Sequence, residues 1–162
     1  MLLSELLKTC DNDSVLYGAD VVVTGITSDS RSVAPGFIFA ALPGMHQHGR
    51  DYIPDALDNG AAALLCHPGD APADCAVPVV RVDDGRQAYA ILASAYYQRQ
   101  PAIIAAVTGT NGKTSCAHFT RQIWQALGHH SASYGTLGIQ SKALERAPGL
   151  TTPDSAHLHC DL

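Results

Sequence analysis

The stretch AAVTGTNGKTSCAHF, residues 105–119, concentrates the residue types that hold a phosphate. Gly109 and Gly112 admit backbone shapes in which successive N–H groups point to one spot. Lys113 adds a flexible positive charge for the β- and γ-phosphates of a nucleotide, and the Thr114 hydroxyl can ligate Mg2+. A helix beginning at Lys113 would add its positive end. The spacing departs from the usual GxxxxGK[ST] loop, because Val107 stands where the first glycine belongs; the match is to the shorter form TGTNGKT. Gly109, Thr110, Asn111, Gly112, Lys113, Thr114 and Ser115 are therefore candidate ATP contacts. Lys113 and Thr114 are the candidate catalytic groups, and Thr114 the candidate Mg2+ ligand. The alternative is a glycine-rich strand–helix turn with an exposed lysine.

Such a loop needs a strand before it and a helix after it. IIAAV (103–107) reads as that strand, and residues 113 to about 126 as the helix. Upstream, the leucines at 2, 3, 6 and 7 predict a short amphipathic helix. VVVTGIT (21–27), FIFAAL (37–42), AAALLC (61–66) and VPVVRV (77–82) predict strands. Residues 51–60 predict a helix with Pro54 in its first turn and Gly60 as its stop. Residues 83–101 carry apolar side chains at 88, 91, 92, 95 and 96, which predicts a helix ended by Pro101. Strand and helix alternate as in an α/β unit, and the 98–101 stretch marks a boundary. The first domain is expected at 1–98 and a second at 102–162. Sixty residues are too few to cover both faces of a parallel sheet, so the second is expected to be very small or incomplete.

Composition narrows the function classes. With 46% hydrophobic and 15% charged residues the 162-residue chain has a globular balance. A formal charge of −5 argues against a general nucleic-acid or anionic-membrane binder. No apolar run nears the roughly 18 residues of a membrane span, and the first residues do not read as a signal peptide. Five cysteines with no CxxC pair read as reduced thiols, so a cytoplasmic protein is expected. Eight histidines include His46-x-His48, His129-His130 and His157-x-His159, but none has the companions of a zinc site.

TGTNGKT after a strand resembles the Mur ligase and folylpolyglutamate synthetase superfamily of ATP-dependent amide ligases. GITSDSRSVAPGFIFAALPG and HGRDYIPDALDNGAAALL resemble the N-terminal uridine-nucleotide-binding domain of the Mur ligases, which the folylpolyglutamate synthetases lack. GTLGI (135–139) and LTTPDS (150–155) resemble the third-step branch, which joins meso-diaminopimelate or L-lysine to UDP-MurNAc-L-Ala-D-Glu. The implied fold is α/β: a small N-terminal uridine-nucleotide-binding domain followed by the opening of a P-loop ATPase domain.

The resemblance implies ATP and Mg2+ as cofactors and an acyl phosphate on the D-Glu γ-carboxylate; a monomer is expected, with no nucleic-acid partner and no membrane insertion. It carries Ser28 and Ser30 over as contacts to the UDP part, where hydroxyls suit ribose and pyrophosphate oxygens; a turn capping itself is the alternative. Met45, His46 and Gln47 carry over as the uridine loop, with a solvated turn as the alternative. Thr151 and Thr152 carry over as substrate contacts, and Thr152-Pro153-Asp154 also fits a helix start. Asp29 and Arg31 are expected to pair and hold their loop, and Tyr96-Tyr97 to pack within a helix. The fourth-step ligase, which adds D-Ala-D-Ala, is the nearest alternative. A non-catalytic nucleotide-sugar-binding fragment is the alternative from another class.

Overall fold

In residues 37–40 and 63–66 consecutive side chains are all apolar and nearly all buried, so these strands must be covered on both faces. The computed structural model describes residues 1–10, 15–44, 47–146 and 154–161. It divides into two compact units, Met1–Gln100 with the segment from Asp154, and Pro101–Pro153.

The first unit is a five-stranded sheet in the order β1-β5-β4-β3-β2. Its strands are β1 (Val15–Tyr17), β2 (Gly25–Thr27), β3 (Phe37–Ala40), β4 (Ala63–Cys66) and β5 (Val79–Arg81). β2, β3, β4 and β5 run parallel, and β1 pairs antiparallel with β5 along the edge. Side-chain alternation divides the core in two. Ile38, Ala40, Ala63, Leu65 and Val80 pack against α1 (Leu3–Leu7), α3 (Gly85–Tyr97) and α5 (Ser155–Asp161). Phe39, Leu64, Cys66 and Val79 pack on the opposite face against Ile53 and Ala56 of α2 (Ile53–Asp58).

The local chemistry follows the sequence. Pro54 lies in the first turn of α2, and Gly60 takes the positive φ of 92° that ends it. Asp84 accepts the Gln87 N–H at 2.9 Å and caps α3. α3 stops at Tyr97, before the expected Pro101, because Gln98 turns left-handed at φ 53°. Its buried face is Ala88, Tyr89, Leu92 and Ala93; Ile91, Ala95 and Tyr96 flank it, a rotation of about one residue from the expected stripe. The strand expected at 21–27 is regular only from Gly25, and β1 was not anticipated. Tyr96 and Tyr97 meet edge to face at 5.1 Å and pack against the core, as expected of a helix pair.

The second unit contains α4 (Lys113–Ala126) and a hairpin sheet of β6 (Ala132–Gly135), β7 (Gly138–Ser141) and β8 (Glu145–Arg146), all antiparallel. α4 has the bounds expected. IIAAV does not form a strand: no described segment pairs with it, and Ile103 and Ile104 are 70% and 68% exposed. A strand is defined by its ladder, and an apolar run without a neighbour cannot make one. Ile139 is the single buried hydrophobic side chain among the described residues of this unit, while Phe119, Ile123 and Leu127 of the α4 region lie open.

Leu64→Ala should therefore destabilise the first unit by about 2–5 kcal/mol, read by urea unfolding in far-UV circular dichroism. Trp124, the only tryptophan, lies in α4. Its fluorescence transition should fall at lower urea and stay where it is in the variant. A single shared transition that moves with Leu64 would contradict two separately stabilised units.

Candidate functional site

Parallel strands deliver their following loops to one end of a sheet, the usual place for ligands in α/β proteins. In the first unit these loops begin after Thr27, Ala40, Cys66 and Arg81.

The turn after β2 is built by its own polar side chains. Thr27, 5% exposed, accepts the Asp29 N–H at 3.1 Å through its hydroxyl. Asp29 Oδ1 accepts the Arg31 N–H at 3.0 Å and so caps the 3-10 turn Ser30–Ser32. The Arg31 guanidinium then closes a two-pronged pair, Nε to Oδ1 at 2.9 Å and Nη2 to Oδ2 at 2.8 Å. That hydrogen bond holds the Asp29 carboxyl below the ordinary carboxylate range, so the pair is intact at neutral pH and is lost only as acid reaches the lowered value. Ser28 is half-buried, and Ser30 is buried with its carbonyl accepting from Asn59 Nδ2 at 3.0 Å. The expected Asp29–Arg31 pair is present, and Ser28 and Ser30 are held on the turn it fixes.

The loop after β3 is pinned at its base. Gly49 N–H donates to Leu42 O at 2.9 Å, and Gly44 N–H to Gln47 O at 3.0 Å. A Cβ on Gly49 would lie 2.5 Å from the Leu42 backbone nitrogen, so only glycine fits. The Gln47 side chain accepts from the Tyr52 hydroxyl. Met45 and His46 lie outside the described residues, as do Thr151 and Thr152. Beside this loop is an open cleft of about 490 Å³ lined by Pro43, His48, His67, Asp70, Asp84 and Arg86. Asp70 joins its walls, contacting Arg50 Nη1 at 3.3 Å and His48 Nε2 at 3.6 Å, and Arg86 Nη2 donates to Pro43 O at 2.6 Å. No cluster of three or more metal-ligating side chains occurs among the described residues.

In the second unit Gly112 is the N-cap of α4 at φ 77°, with no side chain to offer the first-turn N–H groups. Those donors have no capping side-chain acceptor, which is the arrangement an anion can satisfy. Lys113 Nζ folds back onto the carbonyls of Gly109 and, at 3.2 Å, of Thr110. Gly109 to Ser115 are all exposed or half-exposed. The Thr114 hydroxyl meets the Thr136 hydroxyl at 3.0 Å; Thr136 sits between β6 and β7 in the GTLGI stretch.

One group was not anticipated from the sequence. Tyr89 is 2% exposed, and its hydroxyl donates to Asp154 Oδ1 at 3.3 Å. Asp154 also accepts the His157 N–H at 2.9 Å, so Asp154 caps α5 in the role expected of Thr152. Tyr89 lies next to Ala88 of the expected stripe, and a buried phenol requires a partner.

An α/β chain with loops gathered at the carboxyl end of a parallel sheet, followed in sequence by a glycine-framed lysine loop, is the class this geometry defines. Residues 22–97 match the Mur ligase family catalytic domain, and residues 107–162 the Mur ligase middle domain. The chain belongs to the Mur ligase family. It is 50% identical over 145 residues to the UDP-N-acetylmuramoyl-L-alanyl-D-glutamate--2,6-diaminopimelate ligase of Caulobacter vibrioides, covering 86% of this chain and 30% of that protein. It is 49% identical over 140 residues to the ligase of the same name from Brucella melitensis, covering 86% and 29%. The chain thus spans under a third of the length of the curated relatives it matches. A solved structure of a ligase of that name superposes with a TM-score of 0.70 at 30% identity, over 85% of this chain and 28% of that one. A D-alanyl-D-alanyl ligase structure from Acinetobacter baumannii gives 0.56 at 21% identity, over 76% and 28%, a likeness of fold. No described helix is long and apolar enough to cross a membrane.

Burial, with the Asp70 carboxylate adding to it, pushes the Cys66 thiol up to about 11. At pH 8 it should stay protonated and unreactive, whereas Cys116 and Cys160 are exposed. Iodoacetamide labelling followed by peptide mass spectrometry should modify Cys116 and Cys160 first. Labelling of Cys66 at the rate of Cys116 would contradict the packing of β4.

Proposed function

We propose that the chain carries the nucleotide-sugar site and the ATP loop of a ligase that joins meso-diaminopimelate to UDP-MurNAc-L-Ala-D-Glu. The observation that carries this reading is the identity of about half over both motif regions to proteins named as diaminopimelate ligases. Likeness to the D-alanyl-D-alanyl ligases is of fold alone, which favours the third step over the fourth.

Ser28 and Ser30, on a turn held rigid by Asp29 and Arg31, would offer hydroxyls to the ribose and pyrophosphate, and Gln47 with its two neighbours Met45 and His46 would meet the uracil. Thr151 and Thr152 would contact the sugar-peptide part. Gly109 to Ser115 would wrap the ATP phosphates with backbone N–H groups. The uncapped first turn of α4 fits an anion there. Lys113, now satisfied by its own loop carbonyls, would exchange them for phosphate oxygens. The Thr114 hydroxyl is an exposed hard-oxygen donor suited to Mg2+, which when bound neutralises phosphate charge. The D-Glu γ-carboxylate would accept the γ-phosphoryl group, and the diaminopimelate amine would then displace phosphate to form the amide. Fixed charge on the moving phosphoryl group is the main contribution a protein makes to such a step.

Thermal unfolding of the chain tests the two sites separately. A ligand at 100 times its Kd adds about 2.7 kcal/mol. UDP-MurNAc-L-Ala-D-Glu should raise the transition of the wild-type chain and of Lys113→Ala alike, and Mg·ATP should raise only that of wild type. Stabilisation by ATP alone, or an ATP effect that survives Lys113→Ala, contradicts the assignment.

A further inference from the structure

Thr136 has no part in the proposed ATP chemistry, yet its hydroxyl lies 3.0 Å from that of Thr114, the candidate Mg2+ ligand. Thr136 and Leu137 form the two-residue turn closed by the pairing of Gly135 with Gly138. The hairpin is tied to α4 at two further places. His118 Nδ1 and Gln140 Oε1 meet at 3.1 Å, and Ser131 Oγ donates to the Arg121 carbonyl at 3.0 Å. Residues 114, 118 and 121 follow the helical spacing that sets them along one face of α4. The turn is thus held against the start of the helix by contacts within this unit and needs no ligand to bring it there.

A threonine hydroxyl has one proton and two lone pairs. When it binds a cation through a lone pair, its proton must point away from the charge and needs an acceptor. Either hydroxyl can be the donor in the Thr114–Thr136 bond; a cation on Thr114 leaves only one direction, with Thr114 donating. A water could accept the same proton, but it would first have to be immobilised. We propose that Thr136 is a positioning residue for Mg·ATP: its hydroxyl accepts the Thr114 proton and leaves the Thr114 lone pairs free for the metal. The proposal rests on the reading of Thr114 as the Mg2+ ligand. A bond that only fastened the hairpin to α4 would matter equally with and without metal, whereas a positioning role shows itself in the metal-bound complex alone.

The test is calorimetric titration of the 162-residue chain with ATP, in Mg2+ and in EDTA, each variant first checked for folding by circular dichroism. Thr136→Val keeps the shape of the exposed side chain and removes the acceptor. It should weaken Mg·ATP binding about fivefold, the order of one hydrogen bond, and leave metal-free ATP binding within about twofold of wild type. Thr136→Ser should bind Mg·ATP as wild type does. Added to Thr114→Ala, the change Thr136→Val should have no further effect. Thr136→Val with an unchanged Kd for Mg·ATP, or with equal losses in Mg2+ and in EDTA, overturns the positioning role and leaves the proposed ATP site standing. A wild-type chain that binds ATP no more tightly in Mg2+ than in EDTA overturns the metal role of Thr114 and the proposal with it.

Discussion

Parallel strands need apolar cover on both faces, and everything recognisable as a site in the first unit depends on that demand being met. Ile38 and Leu65 face one layer and Phe39 and Leu64 the other, each almost fully buried. With β3 and β4 fixed in register, from Ile38 opposite Ala63 to Ala40 opposite Leu65, their carboxyl ends stand side by side. The Ser28 turn is then set by an arginine–carboxylate pair, and Gly44 and Gly49 are held by backbone hydrogen bonds, instead of by a ligand. A site that is already rigid loses less entropy on binding.

The second unit shows the same demand unmet. The sequence supplies an apolar run, a glycine turn and an amphipathic helix, yet among the described residues the run has no strand to pair with, and the helix keeps Phe119 and Ile123 60% exposed. The 109–115 turn is formed locally all the same, because its shape depends on two positive-φ glycines and a helix start, not on a sheet. Local chemistry of this kind survives where tertiary packing is thin.

This contrast explains what was legible in the sequence. β4, β5, α2 and α4 were readable because their patterns are strong and bounded by Gly, Pro and capping residues. The Asp29–Arg31 pair was readable because its partners are two residues apart. IIAAV misled because periodicity reports what a segment could bury, not whether a partner exists. β1 has three residues and little pattern. The Tyr89–Asp154 bond joins residues 65 apart in sequence, and only the packing of α5 on α3 brings them together. The seven loop residues from Gly109 to Ser115 were legible as a motif, whereas the Thr114–Thr136 contact needed the hairpin to be seen.

The central claim is that residues 27–47 meet a uridine nucleotide-sugar and residues 109–115 meet ATP. Amide NMR of the isotopically labelled chain tests it most directly. Titration with UDP-MurNAc-L-Ala-D-Glu should shift the amides of Ser28 to Ser32 and Gln47 and leave Gly109 to Ser115 unmoved, and Mg·ATP should do the reverse. Nucleotide-sugar shifts that fall on the 109–115 loop, or that miss the Ser28 turn while the ligand binds, would contradict it.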